Sequence, residues 1–304
     1  MVSLNHCPVC ASDQVEHIAT HSVDQTCAAW QTRFGVDIRK EFHGASSFEE
    51  WRCERCTLGF FPMDLAGSAG MYEALQKHEW YYLRNKWEHG EALKDTPVGA
   101  RLLEIGSGEG EFIARAAAAG ADALGLELNS GAVRRANELS RRVERRLMHE
   151  LLPNEESAFD VVCSFQVLEH VSDPRTFLRE ACRLLKPGGR LITAVPDGDS
   201  WLRFEDNPLD QPPHHLTRWN EVSLSQLGSA LPLRLERIAR EPLPRYHVAG
   251  FVAAHADALR RKTRGVLTFG GPLRTLAKAA ILATSLQKLL PGQGIYACHE
   301  RQPD

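Results

Sequence analysis

Four short apolar runs alternate with helical segments after residue 100, and this alternation constrains the fold more than any other feature of the chain. The runs are RLLEIG, ALGLEL, FDVVCSF and RLITAVP, and each has the length of a strand. Because both faces of each run are apolar, the pattern is typical of a parallel sheet covered by helices. We therefore expect an α/β fold with a doubly wound, mostly parallel sheet.

Three helical segments lie between these runs, and the last two strands are expected near the C-terminus. The second helix contains the charge run RRVERR, which we interpret as its solvated face. The third has Asp173 as its N-cap, Pro174 at its first position and Gly188 just past its end. The segments LERIAR and GIYACHER are predicted to close the sheet as an antiparallel hairpin.

The eight cysteines include two C-x-x-C pairs, CPVC (Cys7 and Cys10) and CERC (Cys53 and Cys56). Two residues between thiolates let both sulfurs reach one tetrahedral zinc at about 2.3 Å, and two such pairs complete a closed site. We interpret the four cysteines as ligands of a structural zinc rather than of a catalytic or sensory one. Residues 11–52 then form an inserted subregion. The alternative ligands are Cys27, His6 and His21.

Residues 66–98 are predicted to form a helical connector that ends before Pro97. Apolar and aromatic side chains recur there at helical spacing, namely Tyr72, Leu75, Trp80, Leu83 and Trp87. We expect these side chains to pack against the next domain rather than to floor a substrate pocket.

A glycine-rich loop separates the first strand of the sheet from the first helix. The segment LLEIGSGEGEF ends its strand at Glu104 and opens a helix near Glu111, with the spacing G-x-G-x-G between them. A dinucleotide fingerprint would be G-x-G-x-x-G, with pyrophosphate on the helix N-terminus. Glu109 and Glu111 would repel a pyrophosphate but tolerate a cofactor without phosphate, which favours S-adenosylmethionine. Glu127, about 20 residues further on, ends the next strand and can accept hydrogen bonds from both ribose hydroxyls.

Four motifs follow one another in the order LLEIGSGEGEF, LGLELN, FDVVCSFQVLEHVSDP and LLKPGGRLITAVP. They resemble the successive motifs of class I S-adenosylmethionine-dependent methyltransferases, most closely the branch related to the ubiquinone-biosynthesis O-methyltransferases. The resemblance covers residues 99–242 and implies a Rossmann-like sheet that binds S-adenosylmethionine for methyl transfer. With its N-terminal cysteine pairs, the chain also resembles, more loosely, zinc-containing methyltransferases of sugar and natural-product pathways.

The resemblance implies a set of cofactor contacts. From the methionine moiety to the ribose and the adenine, these are Glu104, Gly106, Ser107, Gly108, Glu109, Gly110, Glu127, Leu128, Met148 and His149. Relatives commonly have an aspartate near the last two positions, and it is missing here. Phe165 and Gln166 would face the reacting methyl group. Glu169 and His170 are interpreted as fixing that loop and its helix rather than as an acid and a base.

The segment DQPPHHLTRW, residues 210–219, follows the strand RLITAVP beyond its carboxyl end, where open α/β sheets bind ligands. His214 and His215 are therefore candidate catalytic residues, and we expect only one of them to act on the acceptor as a base or an orienting group. A structural role in a lid stiffened by Pro212 and Pro213 is an alternative of equal weight. Metal ligation is disfavoured, because adjacent histidines are expected to point in different directions.

An insert of about 50 residues separates the last two strands, and its Leu, Ala and basic residues predict one or two amphipathic helices. Packing on its own domain as a lid is the favoured role. A homodimer contact and peripheral membrane contact through residues 255–291 are the alternatives. The predicted parts of the chain are a zinc-binding four-cysteine module (1–65), the connector (66–98), an S-adenosylmethionine-binding methyltransferase core (99–242), and the insert with the final strand (243–304).

The composition, 43% hydrophobic and 25% charged residues, fits a soluble globular protein. A net charge of −3 argues against a dedicated nucleic-acid binder, and the sequence has neither a signal-peptide pattern nor an apolar run long enough for a transmembrane helix. We expect a cytoplasmic enzyme that methylates an oxygen or a carbon of a sugar-like, quinone-like or other small biosynthetic acceptor. The alternatives are an RNA methyltransferase whose zinc module holds nucleic acid, and a non-catalytic S-adenosylmethionine-binding protein.

Overall fold

The computed structural model describes residues 6–61, 65–78, 86–205 and 207–303. It contains strands and helices in the following order: β1 (Val15–Ser22), α1 (Val23–Phe34), β2 (Ser47–Cys53), β3 (Gly59–Phe60), α2 (Ala69–Leu75), α3 (Trp87–Asp95), β4 (Arg101–Ile105), α4 (Glu111–Ala118), β5 (Asp122–Leu126), α5 (Ser130–Glu138), β6 (Val143–Glu144), α6 (Leu152–Glu155), β7 (Phe159–Phe165), α7 (Pro174–Leu184), β8 (Leu185–Pro196), β9 (Thr217–Arg218), α8 (Glu221–Ser225), β10 (Leu233–Pro242), α9 (Val248–Lys262), α10 (Gly271–Ala283) and β11 (Pro291–Arg301).

A seven-stranded sheet in the order β10-β11-β8-β7-β4-β5-β6 forms the centre of the molecule. The strands from β8 to β6 are parallel, and β11 and β10 are antiparallel to their neighbours. The central strand β4 is buried along Leu102, Leu103, Glu104 and Ile105, since helices cover both faces of the sheet. The predicted α/β class, the four central strands and the closing antiparallel hairpin are confirmed.

A second sheet in the order β1-β2-β3-β9 is built mostly from the N-terminal part. Its last strand, β9, comes from residues 217–218, and Gly59 and Phe60 of β3 pair with Arg218 and Thr217. Trp30 of α1 is fully buried in the core beneath this sheet, and its indole donates to the Pro208 carbonyl at 3.0 Å. The segment after the paired histidines is therefore a strand of the N-terminal sheet. The predicted boundaries at residues 65, 98 and 242 stay a prediction.

Two of the predicted helices are shorter than the sequence pattern indicates. Helix α5 ends at Glu138, and the run RRVERR contains β6, where Val143 pairs in parallel with Gly125 and is buried. The interpretation of RRVERR as a helix face is wrong, because the sheet edge supplies backbone partners. Asp173 and Pro174 begin α7 as predicted. The helix ends at Leu184 rather than next to Gly188, since Leu185 already pairs with Phe159 of β7.

The connector contains α2 and α3, and α3 ends before Pro97 as predicted. Trp80 and Leu83, two of its aromatic and apolar positions, lie outside the described residues. The insert between β10 and β11 forms two helices, α9 and α10, and α9 is buried against Trp201 through Val248 and Val252. Among the helices that the structure describes, none has both the length and the apolar character needed to cross a bilayer.

Candidate functional site

One large cavity of about 1390 Å³ lies at the carboxyl ends of the parallel strands. The final residues of β4, β5, β7 and β8 all line it: Ile105, Leu126, Phe165 and Pro196. This edge is where open α/β sheets bind their ligands. The cavity is long enough to join the glycine loop at one side to the segment of residues 207–215 at the other.

The glycine loop turns sharply at the end of β4. Gly106, Gly108 and Gly110 have φ values of 75°, 52° and 70°, a conformation that favours glycine. A Cβ on Gly106 would lie 2.4 Å from Cγ2 of Val167, so there is no room for a side chain at this position. Gly106 and Gly108 line the cavity, whereas Ser107 and Gly110 do not.

Glu127 at the end of β5 lines the cavity with its carboxylate already oriented. Its Oε2 accepts from the Gly108 amide at 2.8 Å, and its Oε1 accepts from the Asn129 amide at 2.8 Å. Each oxygen keeps a second lone pair with which it could accept a bond from a ribose hydroxyl. The geometry fits the predicted ribose contact.

The two other acids of the loop do not face the cavity. Glu109 pairs with Arg135 at 2.6 Å, and Glu111 pairs with Arg141 at 3.1 Å, so both charges are compensated at the outer side of the loop. The expectation that Glu109 and Glu111 would repel a pyrophosphate, or that Glu109 would hold methionine, does not fit this geometry. The choice of cofactor therefore depends on the rest of the site.

Glu104 is fully buried below the loop and does not line the cavity. Burial raises the pKa of Glu104 to about 8, and its Oε2 has no hydrogen-bond partner among the described residues. A buried carboxyl group with an unsatisfied oxygen, just before the cavity-lining Gly106, could accept a hydrogen bond from the cationic amino group of the zwitterionic methionine end of S-adenosylmethionine, and that charge would favour the ionised carboxylate. The residues present fit this cofactor.

The predicted adenine and methyl contacts also lie on the cavity wall. Leu128 is 57% exposed, and it lines the cavity together with Met148, His149, Phe165 and Gln166. The Gln166 amide donates to Oε1 of Glu88 at 3.2 Å. The structure thus brings the predicted cofactor-binding residues around one space, except Glu104, Ser107, Glu109 and Gly110.

Two aromatic residues of the connector also belong to this site. Tyr72 lines the cavity and lies edge-on to the ring of His170, with centroids 5.9 Å apart. Trp87 lines it as well while packing on Tyr296 of β11. Leu75 is buried in the N-terminal core. Tyr72 and Trp87 thus pack as expected and also line the cavity, which was the alternative role of the connector's aromatic residues.

Three histidines form the wall of the cavity opposite the glycine loop, and we call His170, His214 and His215 the histidine wall. Each offers one ring nitrogen such that the three nitrogens lie within 4.8 Å of one another. The rings of His214 and His215 are stacked, with centroids 4.6 Å apart and an interplanar angle of 25°. The expectation that these adjacent rings point in different directions is wrong, so their donor set also suits a divalent cation.

The Nδ1 atom of each ring in the histidine wall bonds to an acceptor. Nδ1 of His170 donates to the His214 carbonyl at 2.6 Å, and Nδ1 of His214 to the Leu209 carbonyl at 3.0 Å. Nδ1 of His215 donates to Oδ1 of Asp210 at 3.2 Å. Because carbonyl and carboxylate oxygens only accept, each neutral ring carries its basic lone pair on Nε2. Burial lowers the pKa of His170 to about 3 and that of His214 well below its usual range.

Asp210 orients His215 and is itself held by Arg218. Burial acts to raise the pKa of Asp210, but the hydrogen bond from His215 and the charge of Arg218 bring it below the usual range. Arg218 bonds to Oδ2 of Asp210 at 3.1 Å and also pairs with Glu50 of β2. Asp210 was not among the predicted site residues, although it lies only five residues before His215 in the sequence.

The LEHV turn after β7 holds the histidine segment in place. The Glu169 carbonyl accepts from the Leu216 amide at 2.7 Å, and the ring of His170 binds the His214 carbonyl. Burial raises the pKa of the Glu169 carboxyl group to about 7. Glu169 and His170 fix a loop, as the sequence interpretation has it, but the loop is the one that carries His214 and His215.

Cys7, Cys10, Cys53 and Cys56 converge at the base of the N-terminal sheet, with their sulfurs all within 4.8 Å of one another. The distances from Cys7 to Cys56 and from Cys10 to Cys53 are 3.6 Å, which excludes disulfides. Zinc–sulfur bonds of about 2.3 Å at tetrahedral angles place sulfurs about 3.8 Å apart, so the four thiols fit zinc. The three alternative ligands, His6, His21 and Cys27, are not part of this cluster. His6 is exposed, His21 pairs with Glu50, and Cys27 of α1 is buried in the N-terminal core.

The four thiols cannot all carry charge without a cation. A hydrogen bond from Cys56 lowers the pKa of Cys7 to about 5 despite burial. Burial raises the pKa of Cys10 to about 11, and the bond to Cys7, together with burial, raises that of Cys56. Since metal ligation needs thiolates, a bound divalent cation would supply the missing compensation.

The fold and the cavity together define the chain as a class I methyltransferase-like α/β protein. The family model described as a methyltransferase domain matches residues 72–236, more than half of the chain. The chain therefore belongs to this methyltransferase family, and the resemblance to class I S-adenosylmethionine-dependent methyltransferases is confirmed.

Two curated relatives agree with this assignment, and one solved structure has the same fold. A Mycolicibacterium smegmatis protein described as a probable S-adenosylmethionine-dependent methyltransferase is 29% identical over 60% of this chain and 65% of its own length. The ubiquinone biosynthesis O-methyltransferase of Maricaulis maris is 39% identical over 32% of this chain and 41% of its own length, so the chain spans under two thirds of either relative. An S-adenosylmethionine-dependent methyltransferase structure from Archaeoglobus fulgidus matches with a TM-score of 0.51 at 17% identity, covering 75% of this chain and 99% of that one.

Proposed function

We propose that this protein transfers the methyl group of S-adenosylmethionine to an oxygen or a carbon of a small biosynthetic acceptor. The observation that carries the proposal is a single cavity with a glycine loop and an oriented Glu127 at one side and the histidine wall at the other. Methyl transfer is an in-line displacement, so its main requirement is to place both reactants in one space. The Maricaulis maris relative is described as an O-methyltransferase, which agrees with an oxygen acceptor.

The cofactor would lie along the predicted contacts on the β4, β5 and β7 side. Gly106 and Gly108 leave room for the methionine moiety, with Glu104 behind them, and Glu127 receives the ribose hydroxyls. Leu128, Met148 and His149 would surround the adenine, and Phe165 and Gln166 would lie toward the methyl group, since all five line the cavity. When bound, S-adenosylmethionine supplies an electrophilic methyl carbon.

The acceptor would lie between the methyl group and the histidine wall. An acceptor hydroxyl or an acidic carbon must lose its proton as it attacks the methyl carbon. Of the two predicted catalytic residues, His215 is the better base, because the Asp210 carboxylate bound to its Nδ1 stabilises the imidazolium that forms when Nε2 takes the proton. Burial lowers the pKa of His214 well below its usual range, which makes His214 a weaker base. His214, held through Nδ1 by the Leu209 carbonyl, would orient the acceptor.

Separate alanine variants of the two histidines test these roles. We expect His215→Ala to lower kcat by roughly a hundredfold or more. His214→Ala should mainly raise KM for the acceptor, and neither change should alter the affinity for S-adenosylmethionine. Asp210→Asn is the matched variant for the orientation of His215 and should lower kcat less than His215→Ala does. Full turnover in both alanine variants would place the base elsewhere.

The four-cysteine cluster is proposed to hold a structural zinc, with all four positions filled by thiolates and none left for a substrate. A measured metal content of one zinc per chain would support this role. A second equivalent that disappears in His215→Ala would instead make the histidine wall a metal site, and the base proposal would then be wrong.

A cofactor-consumption screen identifies the acceptor class. Sugar nucleotides, phenols and lipid-linked compounds are offered with S-adenosylmethionine, and conversion to S-adenosylhomocysteine is measured with the product mass. Methylation of RNA with a steep dependence on salt would favour the alternative RNA methyltransferase. Cofactor binding without transfer to any acceptor would favour a non-catalytic binding protein.

A further inference from the structure

The helical insert between strands β10 and β11 has an unusual charge distribution. We call residues 258–290 the basic hairpin; they include the end of α9, the loop, α10 and the turn that follows. This segment contains seven Lys and Arg residues and no Asp or Glu, although the whole chain has a net charge of −3. Asp257, directly before this segment, pairs with Arg274 at 2.7 Å.

The basic hairpin also exposes apolar side chains that a soluble helix pair would bury. Val266 is 84% exposed, Leu276 is 65% exposed and Leu289 is 82% exposed, and Leu267, Phe269, Leu273 and Leu286 are exposed as well. Among the described residues, no side chain of α10 is fully buried, since only Ala277, Ile281 and Leu282 pack on the core around Trp201. Helix α10 therefore has an apolar outer face that no described part of the chain covers.

Cationic and apolar side chains on one exposed surface select among the partners that could cover it. A second copy of the chain would bring seven like charges against seven, which disfavours association through this face. A nucleic acid would use the charge but would not need a row of exposed leucines, and the hairpin has a single aromatic residue, Phe269. An anionic bilayer uses both kinds of side chain, because leucines enter the interface while Lys and Arg meet the headgroups.

We propose that the basic hairpin docks the protein on the surface of an anionic lipid bilayer. The hairpin adjoins the large cavity, since Gln287 and Lys288 line it together with Tyr246 and His247 just before α9. Docking through the hairpin therefore places one edge of the cavity beside the bilayer interface. The docking surface itself is independent of the proposed methyl transfer and can be measured without turnover.

Vesicle sedimentation of the full chain tests the docking. We expect binding to phosphatidylcholine vesicles that contain phosphatidylglycerol, weakened by salt, and little binding to vesicles of phosphatidylcholine alone. Lys262→Glu with Lys278→Glu should weaken the binding by about tenfold or more. Leu276→Asp should weaken it as well, because it places a charge on the inserted face.

Matched changes on another exposed surface control for net charge and folding. Arg134→Glu with Arg142→Glu makes the same change in net charge, and Leu139→Asp changes a leucine that is 58% exposed at the end of α5. These control variants should bind anionic vesicles within about twofold of the wild type, and thermal unfolding should show that all variants fold. Equal binding by wild type and hairpin variants would overturn the proposal. So would a dimer that Leu276→Asp dissociates in the absence of lipid, or binding to RNA that competes fully with the vesicles.

Discussion

At the scale of single residues, Glu127 is the side chain whose geometry most directly indicates a ligand. Two backbone amides already fix its carboxylate, so little ordering is needed when ribose hydroxyls bind. Glu127→Gln replaces an accepting oxygen by a donating amide opposite a backbone amide and a hydroxyl. We expect roughly a tenfold to hundredfold loss of affinity for S-adenosylmethionine in calorimetry.

Glu109→Gln is the matched control for Glu127→Gln. Glu109 lies in the same loop but pairs with Arg135 away from the cavity. The affinity of Glu109→Gln for the cofactor should stay within about twofold of the wild type, since a partly exposed ion pair contributes little to the stability of the loop. Equal weakening by both variants would mean that loop stability, not a ribose contact, controls binding.

Glu104 makes the stability of the folded protein depend on pH. Burial keeps the pKa of Glu104 at about 8 in the folded protein, whereas an unfolded chain releases that proton near 4.5. The folded state binds the extra proton between these pH values, so the free energy of unfolding falls as pH rises through this window. Glu104→Gln cannot ionise and should escape this loss, by on the order of 2 kcal/mol at about pH 8 relative to about pH 5.

Urea unfolding of wild type and Glu104→Gln at the two ends of this pH window measures the difference. The variant should be close to the wild type in acid and more stable than the wild type in mild alkali. A difference that does not change with pH would show that Glu104 is ionised in the folded protein.

At the scale of elements, Gly106 of the β4–α4 loop and Gly188 of β8 allow two effects of glycine to be compared: a left-handed backbone and the absence of a side chain. Gly106 and Gly188 have nearly the same φ, 75° and 78°. A Cβ added to Gly106 would lie 2.4 Å from Cγ2 of Val167, whereas a Cβ added to Gly188 would have no atom within 4 Å. Gly188→Ala should cost about 1 kcal/mol through its left-handed conformation. Gly106→Ala adds a clash with Val167, so we expect a larger loss of stability and weakened cofactor binding.

Denaturant unfolding and cofactor titration of both glycine variants check this comparison. Cofactor affinity should be unchanged in Gly188→Ala, because the residue lies at the start of β8, away from the cavity. Equal losses of stability would mean that Val167 moves aside and that the loop tolerates a side chain.

The elements that could be predicted are those whose sequence pattern extends over a full turn or strand. The strands β4, β5, β7 and β8 are apolar runs, and the N-cap of α7 is a local hydrogen bond that Oδ1 of Asp173 accepts from the Thr176 amide. By contrast, β6 and β9 are two residues long, and their pairing partners are distant in sequence. No periodicity exists over two residues, so RRVERR resembled a helix and the joining of β9 to the N-terminal sheet was not predicted.

The residues of the candidate site likewise divide into those that the sequence could predict and those that it could not. Glu127 and the glycines could be placed because their positions relative to strand ends follow from the topology. The histidine wall could not, because it depends on three tertiary contacts. These are the Leu216 amide to the Glu169 carbonyl, the Gly67 amide to the Pro213 carbonyl and the Phe61 amide to the Leu216 carbonyl.

At the scale of the whole molecule, the four-cysteine cluster is continuous with the core of the large sheet. Cys7, Cys53 and Cys56 belong to the same buried cluster as Leu103 of β4 and Trp219 after β9. The strand that follows Cys56 pairs with β9, directly after the histidine wall. Loss of the proposed zinc should therefore destabilise the whole chain and not the N-terminal part alone.

Cys53→Ser tests this coupling, with Cys27→Ser as its control because Cys27 is also a buried thiol but lies outside the cluster. Cys53→Ser should lose the metal and lower Tm by on the order of 5 °C or more, in one cooperative transition followed by both near-ultraviolet and far-ultraviolet circular dichroism. Cys27→Ser should keep one zinc per chain.

Because β9 positions the segment that holds His215, the metal-free protein should also lose turnover while it keeps affinity for S-adenosylmethionine at a temperature where it is folded. Two separate unfolding transitions, with cofactor binding and turnover intact after the first, would show that the N-terminal sheet is an independent unit and that the histidine wall is held by the LEHV turn alone.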